Sequence, residues 1–268
     1  MFNKREVSFL LEKMNVLDGH PIAYTLSNGQ CINDCIGQKI TIRHTGNKQC
    51  LDCGRKIKKT FFQGFCFPCF QSSPQASECI IRPELCQAHL GLGRDKEWEE
   101  KYHNQPHVVY LSVSSGLKVG ITKQTSIPSR WIDQGASSAI IFADVPYRYA
   151  AGCIEVALKP YVSDRTAWQR MLKNDIPDLD LPAEKQRLSQ YIPDDFKSYF
   201  SSNNDVYTFD YPVTKYPDKV ISINLDKTPM VEGVLMGIKG QYLLFEDQRV
   251  LNIRKHGGYE VVIHSLID

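Results

Sequence analysis

The chain reads His107-Val-Val-Tyr110-Leu-Ser-Val-Ser-Ser-Gly-Leu-Lys118-Val-Gly120-Ile-Thr-Lys-Gln-Thr-Ser-Ile-Pro-Ser-Arg130-Trp-Ile-Asp-Gln-Gly135 near its middle. This stretch decides the fold, because β-branched and aromatic residues fill two short runs, and the Ser-Ser-Gly between them is typical of a turn. The following proline suits the first turn of a helix that carries Arg130. The stretch therefore predicts strand, turn, strand and helix, an order that brings Tyr110, Gly120 and Arg130 to one small surface.

Two short motifs in this stretch resemble the core of the GIY-YIG nucleases. Residues 108–110 read Val-Val-Tyr where that family has Gly-Ile-Tyr, and residues 118–120 read Lys-Val-Gly where it has Tyr-Ile-Gly, so a lysine replaces the second tyrosine. Arg130 matches the family's catalytic arginine, and Glu155, on a later predicted helix, matches its metal-binding glutamate. The resemblance implies a small mixed sheet with helices and a catalytic set of Tyr110, Lys118, Arg130 and Glu155.

The same resemblance implies a role for each of these side chains in phosphodiester hydrolysis. Tyr110 would activate or orient the nucleophile, and Arg130 would contact the scissile phosphate in a forked geometry that lysine cannot match. Glu155 would hold one Mg²⁺ ion. Lys118 would contact phosphate, or act as the activating base if its pKa is lowered. Each residue also has a structural explanation: a core tyrosine, an ion-paired arginine, a solvated glutamate and a surface lysine.

Cysteines upstream of this stretch form two pairs with the spacing of zinc knuckles. The first pair is Cys50-Leu-Asp-Cys53 and the second is Cys66-Phe-Pro-Cys69. Each knuckle gives two adjacent corners of a tetrahedron, so the two together form a closed structural site, as in a zinc ribbon. The segment between them, residues 55–62, is basic and aromatic, which suits either phosphate contact with base stacking or a solvated turn with aromatic residues in a small core.

A second possible zinc site follows, with looser spacing. Its candidate ligands are Cys79, Cys86, His89 and His103. The alternative is a buried thiol pair with two surface histidines. We therefore expect one or two structural zinc ions.

A longer run, from about Ile36 to the C-terminus, is similar to a bacterial family described only as a domain of unknown function. In that family a cysteine-rich module precedes a segment that here reads Lys-Val-Gly-Ile-Thr at residues 118–122 and Arg-Trp-Ile-Asp-Gln-Gly-Ala at residues 130–136. Some members have cysteines where this chain has Gly93 and His103. This difference favours His89 and His103 as replacement ligands.

Length and composition limit the classes of protein. The chain has 268 residues, 42% apolar, with a net charge of +2, so nucleic-acid binding would depend on local basic patches. No apolar run approaches the length of a membrane span, and residues 1–6 contain no signal-peptide core. We expect no membrane association and a cytoplasmic location, where nine cysteines favour metal binding over disulfides.

The pattern along the chain predicts an α+β protein in four segments. Residues 1–48 are rich in strands, residues 49–106 form the cysteine-rich zinc module, and residues 107–205 form the GIY-YIG-like core. Residues 206–268 contain five short, evenly spaced strands, which suggest a small β-barrel completed by the N-terminal strands.

Three functions are consistent with these features. The leading hypothesis is a zinc-containing, GIY-YIG-like endonuclease that uses Mg²⁺ to cleave DNA or RNA. A lysine in place of the second tyrosine favours the alternative, a non-catalytic nucleic-acid-binding protein with a degenerate nuclease core. An adaptor that binds proteins through its zinc module is a third hypothesis.

Overall fold

The structure is a computed structural model, which describes residues 7–265. The N-terminal sequence assessed above for a signal peptide, residues 1–6, lies outside the described part of the chain. Within that part, no helix has both the length and the apolar character that a bilayer span requires.

Strands and helices are mixed along the chain, which confirms the α+β class. The strands are β1 (Phe9–Leu10), β2 (Asn15–Leu17), β3 (Ala23–Thr25), β4 (Lys39–Lys48), β5 (His107–Val113), β6 (Leu117–Lys123), β7 (Ser138–Val145), β8 (Val206–Thr208), β9 (Ile221–Ser222), β10 (Met230–Lys239), β11 (Tyr242–Phe245), β12 (Arg249–Asn252) and β13 (Tyr259–Ser265). The α-helices are α1 (Phe67–Ser72), α2 (Lys96–Tyr102), α3 (Ser129–Asp133), α4 (Arg148–Leu158), α5 (Trp168–Leu172) and α6 (Leu181–Ser189).

The chain divides into two compact units. Residues 1–70 and 210–268 form the first unit, and residues 71–209 form the second. The division falls within the predicted zinc module, so its two groups of cysteines belong to different units. The finer division into four segments stays a prediction.

The first unit contains a seven-stranded sheet in the order β1-β13-β4-β10-β11-β12-β9. The N-terminal strands β1 and β4 pair with strands of the C-terminal tail, as the sequence predicts. A closed barrel is not found: the strands at the two ends of this order, β1 and β9, have only two residues each and do not pair with each other among the described residues. Such short end strands leave the sheet open while exposing little unpaired backbone.

The second unit contains the central stretch, in a four-stranded antiparallel sheet of order β6-β5-β7-β8. Every residue of β5 is buried, because both faces of this strand are covered. Val109, Leu111 and Val113 face a core that includes Ile154 of α4 and Leu188 of α6.

The opposite face of β5 packs against aromatic rings. Val108 and Tyr110 lie there with Trp131 of α3. Because side chains alternate between the two faces of a strand, β5 builds both cores at once and carries Tyr110 to the face that α3 covers.

Candidate active site and two metal centres

Tyr110 and Gly120 lie opposite each other in the β5–β6 hairpin. A Cβ atom on residue 120 would meet the Tyr110 hydroxyl oxygen at 2.6 Å and Cζ at 2.7 Å, closer than real Cβ contacts. The missing side chain at Gly120 therefore lets the tyrosine ring lie across β6. Trp131 packs edge-on against the same ring, with the centroids 5.8 Å apart.

The side-chain amide of Gln134 links Tyr110 to Lys118. Its oxygen Oε1 accepts a hydrogen bond from the Tyr110 hydroxyl at 2.9 Å and another from Lys118 Nζ at 2.8 Å. Gln134 directly follows α3, so the C-terminal end of that helix fixes the two donors relative to each other. Gln134 is not among the site residues that the sequence predicts.

Lys118 is buried, with 5% of its surface exposed. The pKa of its amine is lowered to about 8, chiefly by burial and also by the charge of Arg130, while Glu155 and Asp164 act in the opposite direction. The chain after α4 lies beside this lysine, since the backbone of the next residue, Val119 N, donates a hydrogen bond to Ser163 O at 2.9 Å. The alternative explanation of Lys118, an exposed surface lysine without a role in the site, therefore does not describe this side chain.

Glu155 lies on α4 and is 9% exposed. Burial is the main cause that raises the pKa of its carboxyl, and nearby Asp164 adds to the increase. Lys159 Nζ lies 3.8 Å from Glu155 Oε2 and 3.3 Å from Asp164 Oδ2, so one ammonium group sits between two carboxylates.

The fold brings together the four side chains that the sequence predicts as catalytic. Burial raises the pKa of Tyr110, opposed by the charge of Arg130 and a hydrogen bond with it, and Glu155 is close enough to influence the same group. We call Tyr110, Lys118, Arg130, Gln134 and Glu155 the central cluster. It is less open to solvent than we expected, because Tyr110 is fully buried and only Arg130 among the four predicted residues is more than marginally exposed.

The first cysteine centre joins the two knuckles, Cys50 with Cys53 and Cys66 with Cys69. Their four sulfur atoms lie within 4.8 Å of one another. Gly54 follows the first knuckle with a φ of +71°, a conformation that glycine adopts at little cost.

The distances in this centre fit zinc rather than a disulfide. Cys53 Sγ lies 3.8 Å from Cys66 Sγ. Two thiolates bound to tetrahedral zinc at about 2.3 Å lie about 3.8 Å apart, whereas sulfurs in a disulfide lie about 2 Å apart. A hydrogen bond with the backbone of Arg55 lowers the pKa of Cys53 to about 6, which favours the thiolate that a metal requires.

The second cysteine centre consists of Cys79, Cys86, Glu99 and His103, all buried and with ligand atoms within 4.8 Å of one another. His103 Nδ1 lies 3.7 Å from each of the two sulfurs and also contacts the Glu99 carboxylate. On tetrahedral zinc a nitrogen and a sulfur lie about 3.6 Å apart, so the two thiols and the imidazole fit one ion.

His89 lies outside the group of ligand atoms that the structure brings together, so its place in the ligand set expected from the sequence stays a prediction. Its ring stacks on Tyr147 and Tyr149, with centroids 5.0 and 4.7 Å apart. Glu99 is the fourth member instead. The irregular spacing of the histidines in the sequence does not show which side chain lies near the two thiols. In the structure, His89 packs at the start of α4 and not against the thiols.

Glu99 lies on α2 and His103, four residues later, caps the C-terminal end of this helix, so helical periodicity places them on one face. This four-residue spacing is the feature of the sequence that could have indicated Glu99 as a partner of His103. A Cβ on Gly93 would lie 2.8 Å from the Glu99 Cδ atom, so the Glu99 carboxyl group occupies space that a side chain at position 93 would need.

The basic hairpin of the first centre exposes both charge and aromatic surface. Four cationic residues are exposed: Arg55, Lys56, Lys58 and Lys59. Lys59 Nζ lies 5.1 Å from the centre of the Phe61 ring, and Phe67, which packs against Phe61, is 48% exposed. This segment therefore combines exposed cations with exposed aromatic surface.

Comparison with known proteins identifies a family but no annotated relative. A family model described as "Protein of unknown function (DUF2797)" matches residues 37–261. No curated protein and no solved structure matches the chain.

Proposed function

Since the chain belongs to the family of DUF2797 proteins, whose function is unknown, we propose a function from the geometry of the second unit: hydrolysis of phosphodiester bonds in DNA or RNA. The proposal includes the likeness of this unit to the GIY-YIG core. The proposal gives zinc at the two cysteine centres a structural role, because four protein ligands leave no open position for a substrate. Nine cysteines, six of them in two candidate zinc sites, favour a reducing compartment, for which we propose the cytoplasm.

One observation carries the proposal: a phenol, an amine, a guanidinium and a carboxylate from four elements act electrostatically on one another in the central cluster. Burying such groups together is costly unless their interactions compensate. Titratable groups with shifted pKa values that converge in this way are more common at functional sites than elsewhere.

Arg130 would bind the scissile phosphate, since it is the more exposed cation of the cluster and guanidinium pairs with phosphate through two hydrogen bonds. Lys118 would accept the proton of the attacking water. Its pKa of about 8 leaves a useful fraction of neutral amine near neutral pH, which an ordinary lysine does not have.

Tyr110 would orient the water rather than deprotonate it. Its pKa is raised, so the phenol stays neutral, and its proton is donated to Gln134. One lone pair of the hydroxyl oxygen accepts from Arg130, and the other remains to accept a hydrogen bond from water. This assignment gives the base role to the lysine that replaces the family's second tyrosine.

Glu155 is the residue that would hold Mg²⁺. A single carboxylate suits this ion, because Mg²⁺ at phosphate-transfer sites is often bound by one or two carboxylates. Water and phosphate oxygens are then the other ligands. Asp164, which shares Lys159 with Glu155, is the nearest second carboxylate. When bound, the ion would neutralise the charge that develops on the phosphate.

Nicking of supercoiled DNA and cleavage of labelled RNA, each with Mg²⁺ or Mn²⁺, test the proposal. We expect Glu155→Gln, which keeps the shape of the side chain, and Arg130→Lys, which keeps the charge, to lower the rate at least a hundredfold. Arg165→Ala is the matched control, because the Arg165 side chain is 92% exposed. Equal rates in wild type, Glu155→Gln and Arg130→Lys would refute the assignment of the centre.

A second candidate function is nucleic-acid binding without cleavage. Two observations favour it: Tyr110 is fully buried, and the exposed hairpin of the first unit offers cations next to aromatic rings. In this case the hairpin would bind a single strand through phosphate contacts and base stacking.

Binding of fluorescent single-stranded oligonucleotides over a range of salt concentrations tests this second candidate. Lys58→Glu with Lys59→Glu should weaken binding and flatten the salt dependence, since each lost phosphate contact lowers the slope by about one. Lys96→Glu with Lys101→Glu is a control of equal charge change on α2. Affinity that does not vary with salt would exclude phosphate contacts.

A further inference from the structure

The helix that carries Glu155 packs directly on the segment of the second cysteine centre. Gly152 of α4 faces the backbone of Pro83 and Glu84, and a Cβ on Gly152 would clash with both, lying 2.9 Å from Glu84 Cα. Pro83 and Glu84 lie between Cys79 and Cys86 in sequence. The approach is close enough that no residue larger than glycine fits at position 152.

Arg148, at the start of α4, bonds to both ligand-bearing segments. Its guanidinium donates to Cys79 O from Nε at 3.1 Å and from Nη2 at 3.0 Å, and to Ile80 O from Nη2 at 3.0 Å. Its backbone N–H donates to His103 O at 2.9 Å. One residue of the helix therefore bonds to the main chain of two candidate ligands.

A third contact comes from His89, which stacks against Tyr147 just before α4 and Tyr149 in its first turn. This packing explains why a histidine so close in sequence to Cys86 is not a ligand. It fixes the start of α4 instead.

The segment that makes these contacts has little regular structure of its own. Between Pro74 and Leu90 it forms four separate 3-10 turns of three residues each, and no strand. Such a segment buries few apolar side chains, so a metal ion bound by Cys79 and Cys86 would contribute strongly to holding it in one conformation.

Glu155 lies seven residues after Arg148, about 10 Å along the helix axis. A rigid helix transmits a displacement of its first turn to that position, and a shift of about 1 Å at a catalytic group can lower a rate about a hundredfold. The position of Glu155 relative to Lys118 and Tyr110 therefore depends on what holds the first two turns of α4.

We infer that Arg148 and Gly152 are positioning residues, through which the Cys79–Cys86–Glu99–His103 centre holds Glu155 in the central cluster. The inference rests on the proposed function for the role of Glu155, and on the observed contacts for the coupling itself. An intact second centre is required for an ordered α4. The first cysteine centre, which belongs to the other unit, has no such role.

Hydrogen–deuterium exchange of peptides from residues 148–158 tests the coupling without any assay of cleavage. Cys86→Ser removes a ligand of the second centre, and Cys66→Ser is the matched control in the first centre. We expect exchange in α4 to become at least tenfold faster in Cys86→Ser and to stay unchanged in Cys66→Ser. Equal exchange of α4 in wild type and Cys86→Ser would overturn the inference.

Gly152→Ala keeps all four ligands and separates positioning from metal binding. It should retain the zinc content of wild type, speed exchange in α4 and lower kcat with little change in KM, because Arg130 still binds the polymer. Val156→Ala, at an exposed position on the same helix, is the control. If Cys86→Ser unfolds the second unit, the result for Gly152→Ala decides the question. Exchange of α4 in Gly152→Ala at the rate of the wild-type protein would overturn the inference.

The two proposals can fail separately. Faster exchange of α4 in Gly152→Ala, together with a wild-type protein that cleaves neither DNA nor RNA, would support the coupling and refute the nuclease. Cleavage that depends on Glu155 but is unchanged in Gly152→Ala would support the nuclease and refute the coupling.

Discussion

The ring of Tyr110 lies across Gly120, so close that a single methyl group at position 120 would meet the tyrosine oxygen at 2.6 Å. The two residues are direct partners in the β5–β6 hairpin. Their contact sets the height of the phenol above the sheet, and with it the hydrogen bond that Gln134 accepts from the phenol. A glycine on β6 thus sets the position of one member of a polar cluster to which β5, β6, α3 and α4 contribute.

Gly120→Ala is expected to displace Tyr110 and lower the stability of the second unit by about 1–3 kcal/mol, the usual cost of forcing an added methyl group into a packed site. Denaturant unfolding followed by aromatic fluorescence measures this. Gly116→Ala, in the turn of the same hairpin, is the control, because a Cβ there has no neighbour within 4 Å. Similar unfolding midpoints for the two variants would contradict the close contact.

Stability should rise with pH because of Lys118. Its pKa is about 8 in the folded protein and returns to an ordinary value near 10.5 on unfolding. Between these values the unfolded state binds more protons, so the free energy of unfolding increases with pH, by roughly 3 kcal/mol over the whole window. Below about pH 8 the lysine is charged in both states and contributes no slope.

Lys118→Met removes this titration and provides the comparison. Lys239 has a similarly lowered pKa of about 8 and titrates in both proteins, so only the difference between wild type and Lys118→Met reports on Lys118. The urea midpoints of wild type and Lys118→Met, measured from pH 7 to pH 10, should therefore move apart as the pH rises. Parallel curves would mean that the Lys118 amine has an ordinary pKa in the folded protein.

Gln134→Glu should raise the pKa of Lys118, because it puts a carboxylate at the atom that now accepts the lysine hydrogen bond at 2.8 Å. If Lys118 is the base, the pH at half-maximal cleavage moves up by about one unit or more. Gln134→Met, which cannot accept either hydrogen bond, should lower the rate without this upward shift. Side-chain NMR of labelled lysine follows the same pKa without substrate.

Zinc content distinguishes the two ligand sets for the second centre. We expect two zinc ions per chain by native mass spectrometry, with one lost in Cys66→Ser and one lost in His103→Ala. Glu99→Ala should weaken zinc retention against a chelator, while His89→Ala should keep both ions, because His89 stacks on tyrosines instead of facing the thiols. Loss of one ion in His89→Ala alone would restore the set expected from the sequence.

The sequence by itself determined the features that depend on local spacing. The Cys-x-x-Cys pairs predicted the first cysteine group because a short loop with Gly54 allows two sulfurs to face one point. Two runs of β-branched and aromatic residues predicted β5 and β6, and a later predicted helix carries Glu155. These elements follow from the backbone and from neighbours a few residues away.

Only the tertiary structure decided which distant groups meet. The choice of Glu99 over His89, the bridge from Gln134 to Tyr110 and Lys118, and the packing of Gly152 on residues 83–84 all depend on how separate segments pack. The tail strands predicted a barrel, but closure requires its end strands to pair, and within residues 7–265 β1 and β9 have two residues each and do not pair with each other. Local sequence sets the period and the turns of each segment, whereas burial and partner choice are set by long-range packing, which no short window of sequence contains.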